Sequence, residues 1–143
     1  MRFLVTVMST PETEETFEGT PELFEEMGRF NQRLIDAGVL LAGEGLLPSR
    51  QGARVVIDGD RRTVVDGPFT ESKELVSGYW ILQLGSLEEA IAWVKQVPNP
   101  TGERGEIRIR RIAEAADFEG VAPPEAIEQE ERMRAQVAEQ QGG

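Results

Sequence analysis

VVDGPFTESKELVSGYW, residues Val64 to Trp80, decides how this chain is read. The segment leaves a β-branched strand, breaks at Asp66-Gly67-Pro68-Phe69, passes through a polar run holding Glu71, Lys73 and Glu74, and re-enters a strand at Val76. Pro68 fixes its own φ and lacks a backbone donor, and Gly67 admits backbone angles closed to other residues, so the break holds one shape. Gly78 to Leu84 is nearly all apolar, which predicts a strand buried on both faces and therefore central in its sheet.

Working outward, Arg54–Ile57 and Thr63–Asp66 flank Asp58-Gly59-Asp60, the signature of a hairpin turn. Ahead of the hairpin, Arg2–Met8 alternates as a strand, and no small-residue cleavage site follows it, so it is expected to be a first strand and not a signal peptide. Ser9–Glu18, with four Glu, four Ser or Thr and Pro11, reads as a solvated loop. Thr20-Pro21-Glu22 starts a helix with a cap, a first-turn proline and a favourable charge. Leu23, Met27, Phe30 and Leu34 give that helix one apolar stripe, and Gly38 ends it. Val39–Leu47 is a strand interrupted by Gly43-Glu44-Gly45, which signals a bulge or a close approach to the backbone. After the central strand, Ser86-Leu87-Glu88-Glu89 is a capping box opening a helix through Ile91 and Val94. Glu106–Ile112 alternates Ile107 and Ile109 with Arg108 and Arg110.

The order β-α-β, hairpin, β-α-β predicts an α+β fold, a ferredoxin-like two-layer sandwich with an inserted β-hairpin. Both helices fall on one sheet face, so the other face calls for the same face of a second chain. The domain is expected over 1–118. Residues 119–143 form an acidic tail, helical from Glu125 to about Glu139 and disordered over Gln140–Gly143.

Composition narrows the chemistry. The 143 residues suffice for one domain. With no cysteine there is no disulfide, thiolate catalysis or Cys-ligated metal, and with no histidine the usual general base near neutral pH is missing. The net charge of −11 divides into −5 up to Ala113 and −6 beyond it, and an acidic chain repels phosphate backbones, so nucleic acid is not an expected partner. No run of 18 apolar residues is present, so no membrane helix is expected. Glu12, Glu14 and Glu15 lack EF-hand spacing, and no glycine-rich loop precedes a helix, so neither a metal nor a nucleotide cofactor is expected.

Carboxylates are left to carry any acid–base step. Asp66 either serves as a general base at the strand end or accepts turn amides and fixes the corner. Glu44, between two glycines, either is buried and poised for proton transfer or pairs with Arg108 or Arg110 on an open sheet face. Convergence of the two within about 5–8 Å, the spacing of working carboxylate pairs, distinguishes the alternatives. Lys73 is a candidate for holding an anionic or hydroxylated ligand, with Glu71 and Glu74 as its solvated neighbours in the plainer account. Phe69, Tyr79 and Trp80 are candidate pocket walls, and alternation puts Tyr79 and Trp80 on opposite faces, one toward the helices and one toward the second chain. Arg108 and Arg110 share a face, suited to a ligand carboxylate or, more simply, to salt bridges across a dimer.

Asp66-Gly67-Pro68-Phe69, with Thr70-Glu71-Ser72-Lys73-Glu74 and Gly78-Tyr79-Trp80, resembles the DGPF-domain branch of the YCII-related proteins. Ala37-Gly38-Val39-Leu40, Gly43-Glu44-Gly45-Leu46 and Pro98-Asn99-Pro100 extend the likeness over roughly residues 1 to 118. The resemblance implies a homodimeric α+β barrel, small, bacterial and cytoplasmic, of unassigned activity. It also implies a regulatory or stress setting linked to extracytoplasmic-function sigma factors. Better-understood YCII relatives use a His-Asp pair, and one eliminates chloride from a hydroxylated aromatic ring; a chain without histidine cannot carry that pair. The function expected is binding of a small molecule or protein partner, with a histidine-free lyase or isomerase on a small polar or hydroxyaromatic substrate as the alternative.

Overall fold

A computed structural model describes residues 1–16 and 19–142, apart from the side chain of Thr16. The chain divides into two compact units, Met1–Arg111 and Ile112 onward.

The first unit is built on a four-stranded antiparallel sheet. Its strands are β1 (Arg2–Ser9), β2 (Leu40–Gly45), β5 (Leu75–Gln83) and β6 (Glu106–Arg111), in the spatial order β2-β5-β1-β6. Helix α2 (Pro21–Asp36) joins β1 to β2, and α3 (Leu87–Val94) joins β5 to β6. This order and connectivity are the ferredoxin-like α+β arrangement. Between β2 and β5 the chain inserts a separate two-stranded hairpin, β3 (Ala53–Asp58) and β4 (Arg61–Asp66). Asp58 pairs with Arg61 across the turn, where Gly59 takes a φ of +60°.

Helix α2 begins where its cap dictates, with the Leu23 N–H donating to Thr20 Oγ1 at 3.1 Å, and it ends before Gly38 at φ +73°. Its stripe reaches the core at Phe30 and Leu34, with Met27 packed against them. Phe3 and Val5 of β1, Trp80, Leu82 and Leu84 from β5 and its end, and Ala90 of α3 complete the buried cluster. Phe30 stands edge-on to Trp80 (5.7 Å between centroids, 76°) and to Trp93 (6.4 Å, 72°), which ties both helices to the central strand.

Several sequence expectations change. The acidic stretch after β1 is not all loop: Pro11–Thr16 forms a short helix, α1, because Thr10 Oγ1 accepts the Thr13 N–H at 3.1 Å and Pro11 suits the first turn. Phe17 and Glu18 of that stretch lie outside the described residues. β5 is central but, within one chain, buried on one face only: Leu75, Gly78, Trp80 and Leu82 are buried while Val76 and Gln83 are exposed. Ile91 faces outward on α3, and Ala90, Trp93 and Val94 make the contacts with the core. The irregularity in β2 falls at Leu41, between Leu40 and Ala42, and not at the glycines.

In the second unit, the Glu114 N–H donates to Asp117 Oδ2 at 2.8 Å at the head of a 3-10 turn over Ala115–Phe118. Helix α4 (Pro124–Gly142) follows, with an Arg134–Glu130 pair at 3.0 Å and no buried residue of its own. The helix runs through Gln140 and Gln141, which were expected to be disordered; Gly143 lies outside the described residues.

Candidate functional site: a cleft with a glycine floor

The cleft arises from strand alternation meeting three glycines. Gly43 pairs with Trp80, and Gly45 with Gly78, on the sheet face that carries the helices. Three positions of that face therefore project no side chain. An added Cβ at Gly43 would lie 3.0 Å from Trp80 Cδ1, and one at Gly78 would lie 3.2 Å from the Glu44 carbonyl oxygen. At Gly45 it would meet nothing within 4 Å. The first two glycines allow close packing, and the third leaves open space.

Helix α2 roofs this floor with Leu23, Met27 and Asn31, spaced four residues apart and so on one helix face. Val94, Val97 and Pro98 close the side, and Val7, Met8 and Ile107 come from the ends of β1 and β6. The cleft holds about 500 Å³ and is open on one side, within the usual size range for small-molecule sites. Trp80 is fixed by its indole N–H donating to Asn31 Oδ1 at 2.8 Å. Glu44 and Glu106 stand at the border, both exposed.

The candidate residues distribute unevenly. Glu44, Tyr79 and Trp80 border the cleft; Asp66, Phe69, Lys73 and Arg108 do not. Trp80 is the aromatic residue turned to the helices, and Tyr79, paired with Glu44, takes the opposite sheet face. Glu44 belongs to the four-stranded sheet, whereas Asp66 ends the hairpin opposite Ala53. Glu44 is not a partner of Arg108, which instead binds Glu106 at 2.9 Å and Glu74. The Arg108 guanidinium, by hydrogen bonding and charge, holds the Glu74 carboxyl below its ordinary value. Glu71 lies against Arg54, with Nε and Oε1 2.8 Å apart but the N–H not aligned for a hydrogen bond. The polar run around Lys73 is thus drawn apart toward two different arginines, and Lys73 itself is exposed.

The Asp66-Gly67-Pro68-Phe69 segment docks on the turn at Ser49–Gln51. The Gly67 N–H donates to the Gly52 carbonyl at 2.9 Å, and the Phe69 N–H donates to Ser49 Oγ at 3.0 Å. Ser49, at 9% exposure, gives both its backbone N–H and its hydroxyl to the Glu14 carboxylate, each at 2.6 Å. The corner is held by Ser49 and Gly52, and the carboxylate involved is Glu14. Sequence reasoning missed Glu14, Ser49 and Asn31. Asn31 carried a signal, since it continues the four-residue spacing of Leu23 and Met27, whereas Glu14 and Ser49 meet 35 residues apart.

Among the described residues, no group of three or more acidic side chains is placed to hold a metal ion, and no helix is long and apolar enough to cross a membrane. A curated protein of Rhizobium meliloti (strain 1021), described as uncharacterized, is 25% identical over 96 residues, which cover 67% of this chain and 77% of that protein. Residues 1–116 match the YCII-related domain, the span that holds the sheet, the hairpin and the whole cleft. The chain belongs to the YCII-related family.

Proposed function

We propose that this chain, a DGPF-type member of its family, acts as a cytoplasmic homodimer that binds a small molecule with an apolar body in the glycine-floored cleft. The setting is bacterial and regulatory or stress-related, in connection with extracytoplasmic-function sigma factors. The observation that carries the reading is the bare floor at Gly43, Gly45 and Gly78 beneath Leu23, Met27 and Asn31, which leaves about 500 Å³ beside an immobilised Trp80. A cleft of this kind favours a small ligand over a protein surface. The alternative, lyase or isomerase chemistry by Glu44 with Asp66, has less support, since Glu44 borders the cleft and Asp66 does not.

A thermal-shift screen against metabolites tests the proposal. A true ligand at a hundred times its Kd adds about 2.7 kcal/mol of stability. Gly45→Val fills the open part of the floor, so it should leave the unliganded melting temperature nearly unchanged and abolish the shifts. Shifts that survive Gly45→Val would place binding elsewhere.

A further inference from the structure

The cleft contains one directed hydrogen-bond donor and, among the described residues, no charged side chain turned into it. Glu44 pairs with Tyr79 and Glu106 with Met8, so alternation turns both carboxylates to the sheet face away from the helices, where Glu106 binds Arg108. The described residues that line the cleft include no lysine or arginine. Of the polar side chains on its walls, Ser77 gives its hydroxyl proton to the Val7 carbonyl at 3.2 Å, and Asn99 donates through Nδ2 to the Glu103 carbonyl at 2.8 Å. Asn31 differs from both. The indole N–H of Trp80 can only donate, so the oxygen of the Asn31 amide must face it, and this fixes which way round the amide sits. Its Nδ2 group, with two N–H donors, is the other end of that amide. Among the described residues Nδ2 has no partner, and it is not sealed from solvent. The amide also stands close to the floor, since a Cβ added at Gly43 would lie 3.5 Å from the same indole nitrogen.

We propose that the cleft takes an uncharged, ring-sized molecule carrying a carbonyl oxygen, with the apolar ring on the glycine floor against Trp80 and the carbonyl accepting from Asn31 Nδ2. The inference rests on the cleft being the binding site. An ionised ligand of the same shape loses hydration on entering and finds no opposite charge on the described walls, a cost that a neutral carbonyl does not meet. A hydrocarbon of the same shape displaces water from the Asn31 amide and leaves its donors unpaired. Asn31 thus acts at both ends of its amide: the oxygen sets Trp80, and the nitrogen reads the ligand.

The experiment uses three probes of one shape, 2-acetylnaphthalene, 2-isopropenylnaphthalene and 2-naphthoate, which carry a ketone, a methylene in place of its oxygen, and a carboxylate. Binding to the full chain is measured by equilibrium dialysis at neutral pH. The ketone should bind about fivefold more tightly than the alkene, the size of one neutral hydrogen bond. It should bind about tenfold more tightly than the carboxylate. Asn31→Asp keeps an oxygen for the indole N–H and replaces the Nδ2 donor with an acceptor. It should bring ketone and alkene together while tryptophan emission stays as in the parent. Gly45→Val should weaken ketone and alkene alike. If ketone and alkene bind alike in the parent, or if Asn31→Asp keeps their ratio, while Gly45→Val weakens both, the cleft stands as the site and recognition by Asn31 is overturned. A carboxylate that binds as tightly as the ketone overturns the preference for an uncharged ligand. If no probe shows binding that Gly45→Val weakens, the cleft falls as the site and the inference falls with it.

Discussion

A Cβ built on Gly67 would sit 1.7 Å from the carbonyl oxygen of Ser49 and 2.6 Å from its carbonyl carbon. Both are backbone atoms of a turn that is itself bonded to Glu14, so neither can yield as a side chain would. Gly67→Ala is therefore expected to destabilise the protein by about 3 kcal/mol or more, the upper range for forced overpacking. Gly45→Ala, with nothing within 4 Å of its new atom, should stay within about 0.5 kcal/mol of the parent. Urea denaturation midpoints of the two variants check the contrast; equal midpoints would mean that the corner does not pack as described.

The same corner makes Ser49 a hub. Its hydroxyl accepts from the Phe69 N–H and donates to Glu14, whose carboxylate also takes the Ser49 N–H. Ser49→Ala leaves the Phe69 donor and one carboxylate oxygen without this partner and should cost about 1–3 kcal/mol. Glu14→Gln keeps the shape but gives up charge-assisted bonding, so it should cost less than Ser49→Ala. If the two residues act as one unit, a double-mutant cycle over them gives a coupling of about 1 kcal/mol or more. Additive losses would separate them.

The fold was legible because its determinants are local. Thr20 as cap, Leu23-Met27-Phe30-Leu34 as stripe, Gly38 as terminator and Asp58-Gly59-Asp60 as turn each act within a few residues, and all appear in the structure. The site was harder, since it is assembled from facing positions of β2, β5 and α2. Gly43-Glu44-Gly45 signals a close approach to the backbone, as Trp80 makes at Gly43, but the spacing does not show that the glycines floor a cleft. The corner at Gly67 packs on a backbone turn at Ser49 with Glu14 behind it, a long-range contact with no periodicity to betray it.

Trp80 owes its orientation to Asn31. Asn31→Leu removes the oxygen that accepts the indole N–H at 2.8 Å and leaves that donor in a largely apolar wall. The expected loss is about 1–3 kcal/mol, together with a shift in tryptophan emission. The companion Trp80→Phe removes the donor as well, so Asn31→Leu placed in a Trp80→Phe background should cost less than it does alone. An equal cost in both backgrounds would assign the effect to helix α2 rather than to the hydrogen bond.

Glu74 supplies a pH test. Arg108 holds its carboxyl below the ordinary value of 4.5, so the folded state binds this proton less readily than the unfolded chain. The pair's stabilisation is then complete above the unfolded pKa and is lost as the pH falls through the lower, folded one. Glu74 is solvent-exposed, so salt should shrink the effect. Followed by carboxyl NMR, Glu74 should titrate at lower pH in the parent than in Arg108→Gln, and the gap should narrow in high salt. Coincident titrations would dissolve the pair.

The sheet face opposite the helices carries Thr6, Tyr79, Ile81 and Arg110, and among the described residues of the first unit the buried cluster lies on the helix side of the sheet. Apolar side chains on such a face gain by meeting a second copy, since each square ångström removed from water contributes about 25 cal/mol. Sedimentation at micromolar concentration is expected to give a dimer. Ile81→Asp would place a charge at the middle of that interface and should weaken association by about 2 kcal/mol or more, roughly thirtyfold in Kd. The helix-facing core should survive in the variant, because Ile81 is not part of the cluster around Trp80 and Leu82. A parent chain that sediments as a monomer, or an Ile81→Asp variant that dimerises like the parent, would move the interface off this face.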